Sequence, residues 1–424
     1  MPKKKLLKQI NILKNKKINI DIHYYLPVMV CLLLIIILLI IPTGYEDAVI
    51  YQGADRCSAL ILSVNNDNII DTGLVRSGEQ TCQVRFLGGK FKGEQARAFN
   101  LLNGSLESDK IFSVGDKALV VINYENDRIL SVNLIDHYRI NNEAILALAF
   151  MLCLILTAGR TGVRAILAFI TTVLLIWKVL IPAYLNGYNP IYFGLFITVL
   201  LIVITISLVY GFNRKTLSAV SGSSLGILVT CILGMIFTNA FKIHGAIMPN
   251  SESLLYSGYQ NLNLTRIFMA SIFIGSSGAV MDLAVDITSA VNEVIDKKPG
   301  ISWKEASKSG MNVGRAAMGT MTTTLLLAYS GGYIALLMVF MAQGTPIYNI
   351  LNYKYVSAEI IETIVGSFGL VTVAPFTALT SGILLTHKKQ SNAKSSLTGC
   401  IDKKNDKEKI IEPTDVFKYE NDFL

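Results

Sequence analysis

Seven apolar segments follow one another between residues 143 and 386, separated only by short polar loops. They centre on 143–158, 165–184, 190–210, 217–240, 266–290, 316–341 and 358–386. Each approaches or exceeds the ~20 residues a helix needs to cross a bilayer core. An eighth, LPVMVCLLLIIILLIIP, lies at 26–42. Eight such segments cannot share one soluble core, so the pattern predicts an all-α polytopic membrane helix bundle of about eight transmembrane helices. Composition agrees: 52% of the 424 residues are hydrophobic and 16% charged, against roughly 25% charged in soluble domains. The last segment is long for one crossing, which implies tilt, a break or an interfacial start.

Charge gives the expected orientation. Lysines 3, 4, 5, 8, 14, 16 and 17 precede the first apolar run, and no small-residue cleavage site follows it. Residues 1–42 therefore read as a cytoplasmic Lys-rich tail and an uncleaved first anchor. Predicted inner loops carry Arg160, Arg164, Arg214, Lys215, Lys297, Lys298, Lys304, Lys308 and Arg315, whereas outer loops carry Lys242, Arg266 and Lys354. This asymmetry places both termini in the cytoplasm. The net charge of +8 is spread over tails and loops rather than one folded face, so it is read as topology and not as nucleic-acid binding. Residues 142–386 are taken as the seven-helix transmembrane domain and 387–424, polar and poor in apolar residues, as a disordered tail.

Residues 43–141 differ in character. CSALILSV, TCQVRF, KALVVINY and ILSVNLI are short β-branched runs separated by turn residues, and KALVVINY-ENDR-ILSVNLI reads as a hairpin. A small β-rich extracytoplasmic domain is expected after the first helix. Cys57 and Cys82 fall within it, and either a disulfide or two buried free thiols fits their spacing. Cys31, Cys153 and Cys231 lie in apolar segments and Cys400 in the tail. With no CxxC and no Cys/His cluster, no metal site and no cofactor are expected.

The sixth apolar segment contains GSSGAVMDLAVDITSA at 275–290. At about 100° per residue, Asp286, Ser289, Glu293, Gly275 and Gly278 all fall within about 40° of Asp282. The other side carries Val280, Leu283, Ala284 and Val291. An acid facing lipid at the bilayer centre costs ~2.5 kcal/mol or more, so the acidic face is predicted to turn toward the bundle interior or a watery cavity. Counted from Arg266, Asp282 lies roughly 24 Å along the axis, in the inner half of the membrane. The arrangement suits a cation or proton site. It equally suits close helix packing through glycine, with the aspartates satisfied by a neighbour.

The seventh segment opens SGMNVGRAAMGTMTTTLLLAYSGG, where Gly310, Gly314 and Gly319 keep a surface small and Thr320, Thr322, Thr323 and Thr324 supply hydroxyls. Arg315, at the inner edge, is a natural partner for Asp286 or Glu293, or equally a positive-inside anchor with no specific partner. The eighth carries Glu359 and Glu362 at its outer end, Gly366 and Gly369 within it, and Pro375, which removes a backbone hydrogen bond at depth and suits an interrupted helix. SGSSLG at 221–226 reads as a packing patch, Lys178 as a snorkelling side chain, and His244 as a polar loop residue. No P-loop, HExxH or nucleophile elbow is present.

GAVMDLAVDITSAVNEV, SGMNVGRAAMGTMTTTLLLAYSGG and EIIETIVGSFGLVTVAPFTAL, with NGYNP at 186–190 and GKFKGEQARAFN and VGDKALV in the β-rich region, resemble the YibE/F family of multi-pass bacterial membrane proteins over most of residues 43–386. The resemblance implies a polytopic membrane protein with an extracytoplasmic domain, often supposed to be a permease, with no substrate established. Its motif residues map to Gly278, Asp282, Ser289, Gly310, Asn312, Gly314, Arg315, Gly319, Thr320 and Thr324. The chain departs at Ala316, where the family pattern implies an acid, and at Thr323, where it implies Asn. The expected function is a secondary transporter for a small solute or ion, not an enzyme, with Asp282, Asp286, Glu293, Arg315, Ser289, Thr320 and Thr324 as the site. The expected partners are the lipid bilayer and a membrane protein or second copy. The alternatives are a non-transporting scaffold or sensor acting through the outer domain, and an intramembrane aspartyl hydrolase, which two acids on one helix suit poorly.

Overall fold

The computed structural model describes residues 22–46 and 53–405, except the side chains of 22–24 and 387–405. The Lys-rich stretch before residue 22 and the last residues of the C-terminal tail lie outside the described residues. The chain forms two compact units, Pro42–Val163 and a second made of Met1–Ile41 with Arg164–Leu424.

The first unit contains five strands: β1 Asp55–Asp71, β2 Arg76–Phe86, β3 Gln95–Asn103, β4 Lys117–Glu125 and β5 Arg128–His137. They close into a barrel in the order β1-β2-β3-β5-β4, the five-stranded Greek-key architecture of OB-type barrels. Closure depends on the length of β1, which pairs with β4 through Asp55–Leu60 and with β2 from Ala59 to Asp71. Register shifts at Ile61/Ser63 and Asn65/Asn68 bend it. The predicted hairpin is β4–β5, and Asn126 (φ 48°) and Asp127 (φ 65°) give it the two left-handed residues of a type I′ turn.

Alternating inward residues fill the barrel, among them Ala59, Ile61, Val84, Phe86, Ala98, Val120, Ile122 and Val132. Gln80 and Asn100 are buried there too and make a polar crosslink. Gln80 Nε2 donates to Phe112 O (2.9 Å), and its Oε1 accepts from Phe112 N (3.0 Å) and Asn100 Nδ2 (3.2 Å). This ties β2 and β3 to the segment before β4. Cys57 and Cys82 are both free and buried in the same core, which decides between the two arrangements their spacing allowed. Burial pushes the Cys82 thiol up to about 11 and raises that of Cys57, assisted by the Asp55 charge. Helix α2, Ile140–Ala158, belongs to this unit rather than to the seven-helix domain, and none of its residues is buried.

The second unit is helical. It comprises α1 Ile22–Ile40, α3 Arg160–Leu185, α4 Pro190–Tyr210, α5 Arg214–Ala240, α6 Leu264–Lys297, α7 Trp303–Ser330 and α8 Lys354–Asn405. Helices α2 to α8 are long and apolar enough to cross a membrane; the apolar part of α1, Tyr25–Ile40, is shorter. Starts are set by side-chain caps: Asn189, Asn213, Asn263 and Ser302 accept backbone N–H bonds at the first turns of α4, α5, α6 and α7. A π turn, Ile176–Leu180, interrupts α3 just before Pro182, where a missing N–H already breaks the helical pattern. Lys178 on that turn donates to Ile41 O at 3.2 Å, and buried Arg164 donates to Leu208 O in the last turn of α4 at 3.3 Å.

Two sequence expectations need correction here. Helix α8 runs unbroken through Pro375. The ring points outward, so the lost hydrogen bond costs no packing inside the bundle. Backbone helix also continues to Asn405, past the start of the tail expected to be disordered, since propagation from a formed helix is inexpensive and no proline stops it.

The closest packing joins α5 to α8. A methyl on Gly222 would fall on Thr377, one on Gly369 would fall on Thr230, and one on Gly226 would lie 3.0 Å from Val373 Cβ. SGSSLG is thus the packing patch expected, and Gly369 meets it. Ser218 Oγ and Ser381 Oγ lie 2.7 Å apart, and Thr288 Oγ1 on α6 lies 3.1 Å from the same Ser381. This buried hydroxyl relay joins α5, α8 and α6, as small residues and hydroxyls do between helices in lipid.

Two outcomes follow for the barrel. Gln80→Leu is expected to lower its stability by about 1–3 kcal/mol, because Phe112 N–H is left buried without an acceptor, read as faster amide exchange in β2 and β3 of the full chain. The unfolded Cys82 thiol ionises near pH 8.5 and the folded one only near 11. Barrel stability should therefore be full below about pH 8.5 and fall as pH rises toward 11. Cys82→Ala should remove that part of the alkaline loss.

Candidate functional site

Helix α6 is amphipathic in an unusual sense. Val280, Leu283, Ala284, Ile287, Thr288 and Val291 are each 0% exposed and pack in the bundle core. Gly275, Gly278, Asp282, Asp286, Ser289 and Glu293 lie on the opposite side, and all six are exposed. The spacing argument is right that these six share one face. Of the two directions expected, the bundle interior or a watery cavity, the first is corrected: the face looks away from the bundle interior. The reason is Thr288, which is hydrogen-bonded inward to Ser381 and lies about 200° around the helix from Asp286. The side packed against α5 and α8 is the apolar one.

The open face has defined neighbours. Tyr210, the last residue of α4, donates its hydroxyl to Val285 O at 2.6 Å, and Ser289 Oγ lies 2.6 Å from the same Oη. The Tyr210 proton is committed to the carbonyl, so Ser289 is the donor of the second bond. Tyr210 was not singled out from the sequence; its only signal was an aromatic hydroxyl at the end of an apolar segment. On the other flank α7 packs against α6 through Gly310, close to Val291 and Ile287, and Gly314, close to Ala374 and Ile287. Gly275 lets the Tyr329 hydroxyl approach α6, and Gly366 packs on Ser276 and Leu325. Gly278 and Gly319 meet open space, so they are not packing glycines among the described residues.

Arg315 pairs with neither acid assigned to it. Glu293 binds Lys297 at 2.9 Å instead, an exposed i,i+4 pair of small energetic weight. Arg315 shares a helix face with Thr322, seven residues on, and Thr322 lines a groove with Thr363 and Ser367 of α8. That is the far flank of α7 from the carboxylates. The α7 threonines are exposed or half-buried and donate to carbonyls of their own helix: Thr320 to Ala317, Thr322 to Met318, Thr323 to Gly319 and Thr324 to Thr320. Their protons are used. The oxygen lone pairs remain, so these hydroxyls offer acceptors and suit a cation better than an anion. His244 accepts from Ala246 N at the start of a 3-10 turn, and no group of three His, Cys, Asp or Glu suited to a metal occurs among the described residues.

These contacts separate by double-mutant cycles in thermal unfolding. Tyr210→Phe with Ser289→Ala is expected to show a coupling of about 0.5–1.5 kcal/mol, as for a direct hydrogen bond. Asp286→Asn with Arg315→Gln is expected to be additive within about 0.5 kcal/mol.

Of the residues that carry the family resemblance, Gly310 and Gly314 are buried, whereas Gly278, Asp282, Ser289, Asn312, Arg315, Gly319, Thr320 and Thr324 are exposed on α6 and α7. Comparison with known proteins gives a match to the family model described as YibE/F-like protein, over residues 146–387. No curated protein and no solved structure matches the chain. Matched over more than half its length, with seven helices long and apolar enough to cross a membrane, the chain belongs to the YibE/F-like family, and its helices point to a multi-pass membrane protein.

Proposed function

We propose that the chain is a secondary permease of a bacterial cytoplasmic membrane, with both termini cytoplasmic and the barrel outside. In this reading α6, α7 and α8 form the pathway, and Asp282 and Asp286 take a cation or a proton. One observation carries it: two carboxylates one turn apart, well inside the span of a 34-residue apolar helix, on a face that its own chain leaves open. Each would cost ~2.5 kcal/mol or more against lipid at mid-membrane. The face therefore meets water or a further protein surface, and a water-lined polar face at that depth is a route for ions. The Tyr210–Ser289 pair adds oxygens on the same face as the carboxylates, and Thr320 and Thr324 offer acceptor lone pairs on α7.

Flux into proteoliposomes tests this across a panel of alkali cations and a pH gradient. Wild-type protein should carry at least one cation or proton. Asp282→Asn/Asp286→Asn should lower that flux by more than tenfold, and unchanged flux in the double variant would refute the assignment. A scaffold reading draws on α2, an apolar helix with no buried residue, which suits docking to a membrane partner. It expects the aspartate variants to be silent and deletion of the barrel to abolish function.

A further inference from the structure

The end of the bundle opposite Glu293 holds a second acidic group. Glu359 and Glu362 lie one turn apart on α8, both half-buried. Ser271 of α6 stands beside the Glu362 carboxyl and Thr363 beside that of Glu359. Tyr329, at the end of α7, and Tyr333, in the 3-10 turn after it, face both acids. Thr363 is 7% exposed. Glu359 Oε1, Thr363 Oγ1 and Tyr329 Oη are sealed from solvent and have no hydrogen-bond partner among the described residues. Room for Tyr329 comes from Gly275: a Cβ there would lie 2.6 Å from the Tyr329 Oη.

No ion pair reaches either glutamate among the described residues. Lys354, on the first turn of α8, sits over the Tyr355 ring at 5.2 Å. Tyr333 and Tyr355 also line an open cavity of about 860 Å³, together with Glu252 and Met248. Tyr333, which senses both acids, thus also forms part of the wall of that cavity. Two half-buried carboxyls with no base are neutralised by protonation or by a bound cation. Their surroundings are carboxyl and hydroxyl oxygens alone, the donors of a hard cation. Two acids in the pair itself, with Glu252 only in the wall of the cavity, match the charge of a monovalent ion exchanging with a proton better than that of a divalent ion, which draws on more carboxylates.

We propose that Glu359 and Glu362, with Thr363 and Tyr329, bind one monovalent alkali cation that enters through the cavity lined by Tyr333 and Tyr355. The entering cation displaces one proton from the carboxyl pair, and that proton leaves to solvent by the same cavity, so the charge of the site is unchanged. The site is separate from the Asp282–Asp286 face and does not depend on it.

The test uses full-length protein in detergent micelles and weak buffer, with sodium, potassium or choline chloride added while proton release and radiolabelled sodium binding are followed. Sodium or potassium should release about one proton per chain, and choline none. In the Asp282→Asn/Asp286→Asn background, which silences the other carboxylate face, that release should persist, Glu359→Gln and Glu362→Gln should abolish it, and Thr363→Val should weaken binding about tenfold at unchanged melting temperature. Absence of both release and binding in wild type would overturn the proposal. So would absence of release in the Asp282→Asn/Asp286→Asn background, or release in that background that survives Glu359→Gln/Glu362→Gln.

Discussion

The close approach of α5 and α8 fixes the rest of the helical unit. Gly222, Gly226 and Gly369 bring the two backbones together where any side chain would strike Thr377, Val373 or Thr230. At that contact Ser218 and Ser381 share a hydrogen bond, and Thr288 joins from α6. Apolar area contributes little between helices surrounded by lipid, so small residues and hydroxyls supply the specificity instead. Once Thr288 is held inward, the rotation of α6 is settled. Leu283, Ala284, Ile287 and Val291 fill the core, and Asp282, Asp286, Ser289 and Glu293 are turned out.

That rotation turns a packing detail into a functional constraint. A carboxylate facing outward from a soluble protein needs no explanation; on a helix of membrane-spanning length it does. The open face is framed by Tyr210 on one side and α7 on the other, and Gly278, Asp282 and Ser289 of the residues carrying the family resemblance lie on it. Arg315 lies on the wrong flank of α7 to neutralise it. The face is therefore acidic and rich in acceptor oxygens, with Glu293 paired to Lys297 at its end and no ion pair to Asp282 or Asp286 among the described residues, the chemistry of a surface that meets water and cations.

Much of this was legible in the sequence. Apolar run lengths gave all seven long helices, since bilayer thickness fixes a length that composition must fill. The β4–β5 hairpin was legible because Asn126-Asp127 is a turn in itself. Strand β3 was not, because its inward positions include Ala96, Ala98 and Asn100, which blur the alternation of polar and apolar residues. Helical periodicity found the carboxylate face but not its direction. That depends on Thr288 and Ser381, 93 residues apart, and no local pattern reports such a contact. The assignment of Arg315 failed for the same reason: proximity along a loop does not say which flank of a helix a side chain leaves from. The interrupted helix expected at Pro375 failed because a proline ring pointing outward leaves the packed side intact.

The central claim, that the Asp282–Asp286 face meets water rather than lipid, is tested most directly at Gly278. It lies on that face with open space around it and leaves both aspartates in place when replaced. A spin label on Gly278→Cys in lipid vesicles, with the native cysteines replaced, reports collisions with a water-soluble nickel chelate and with oxygen, which partitions into lipid. The account expects collisions with the nickel chelate to dominate. Oxygen-dominated relaxation would place the face against lipid and contradict it.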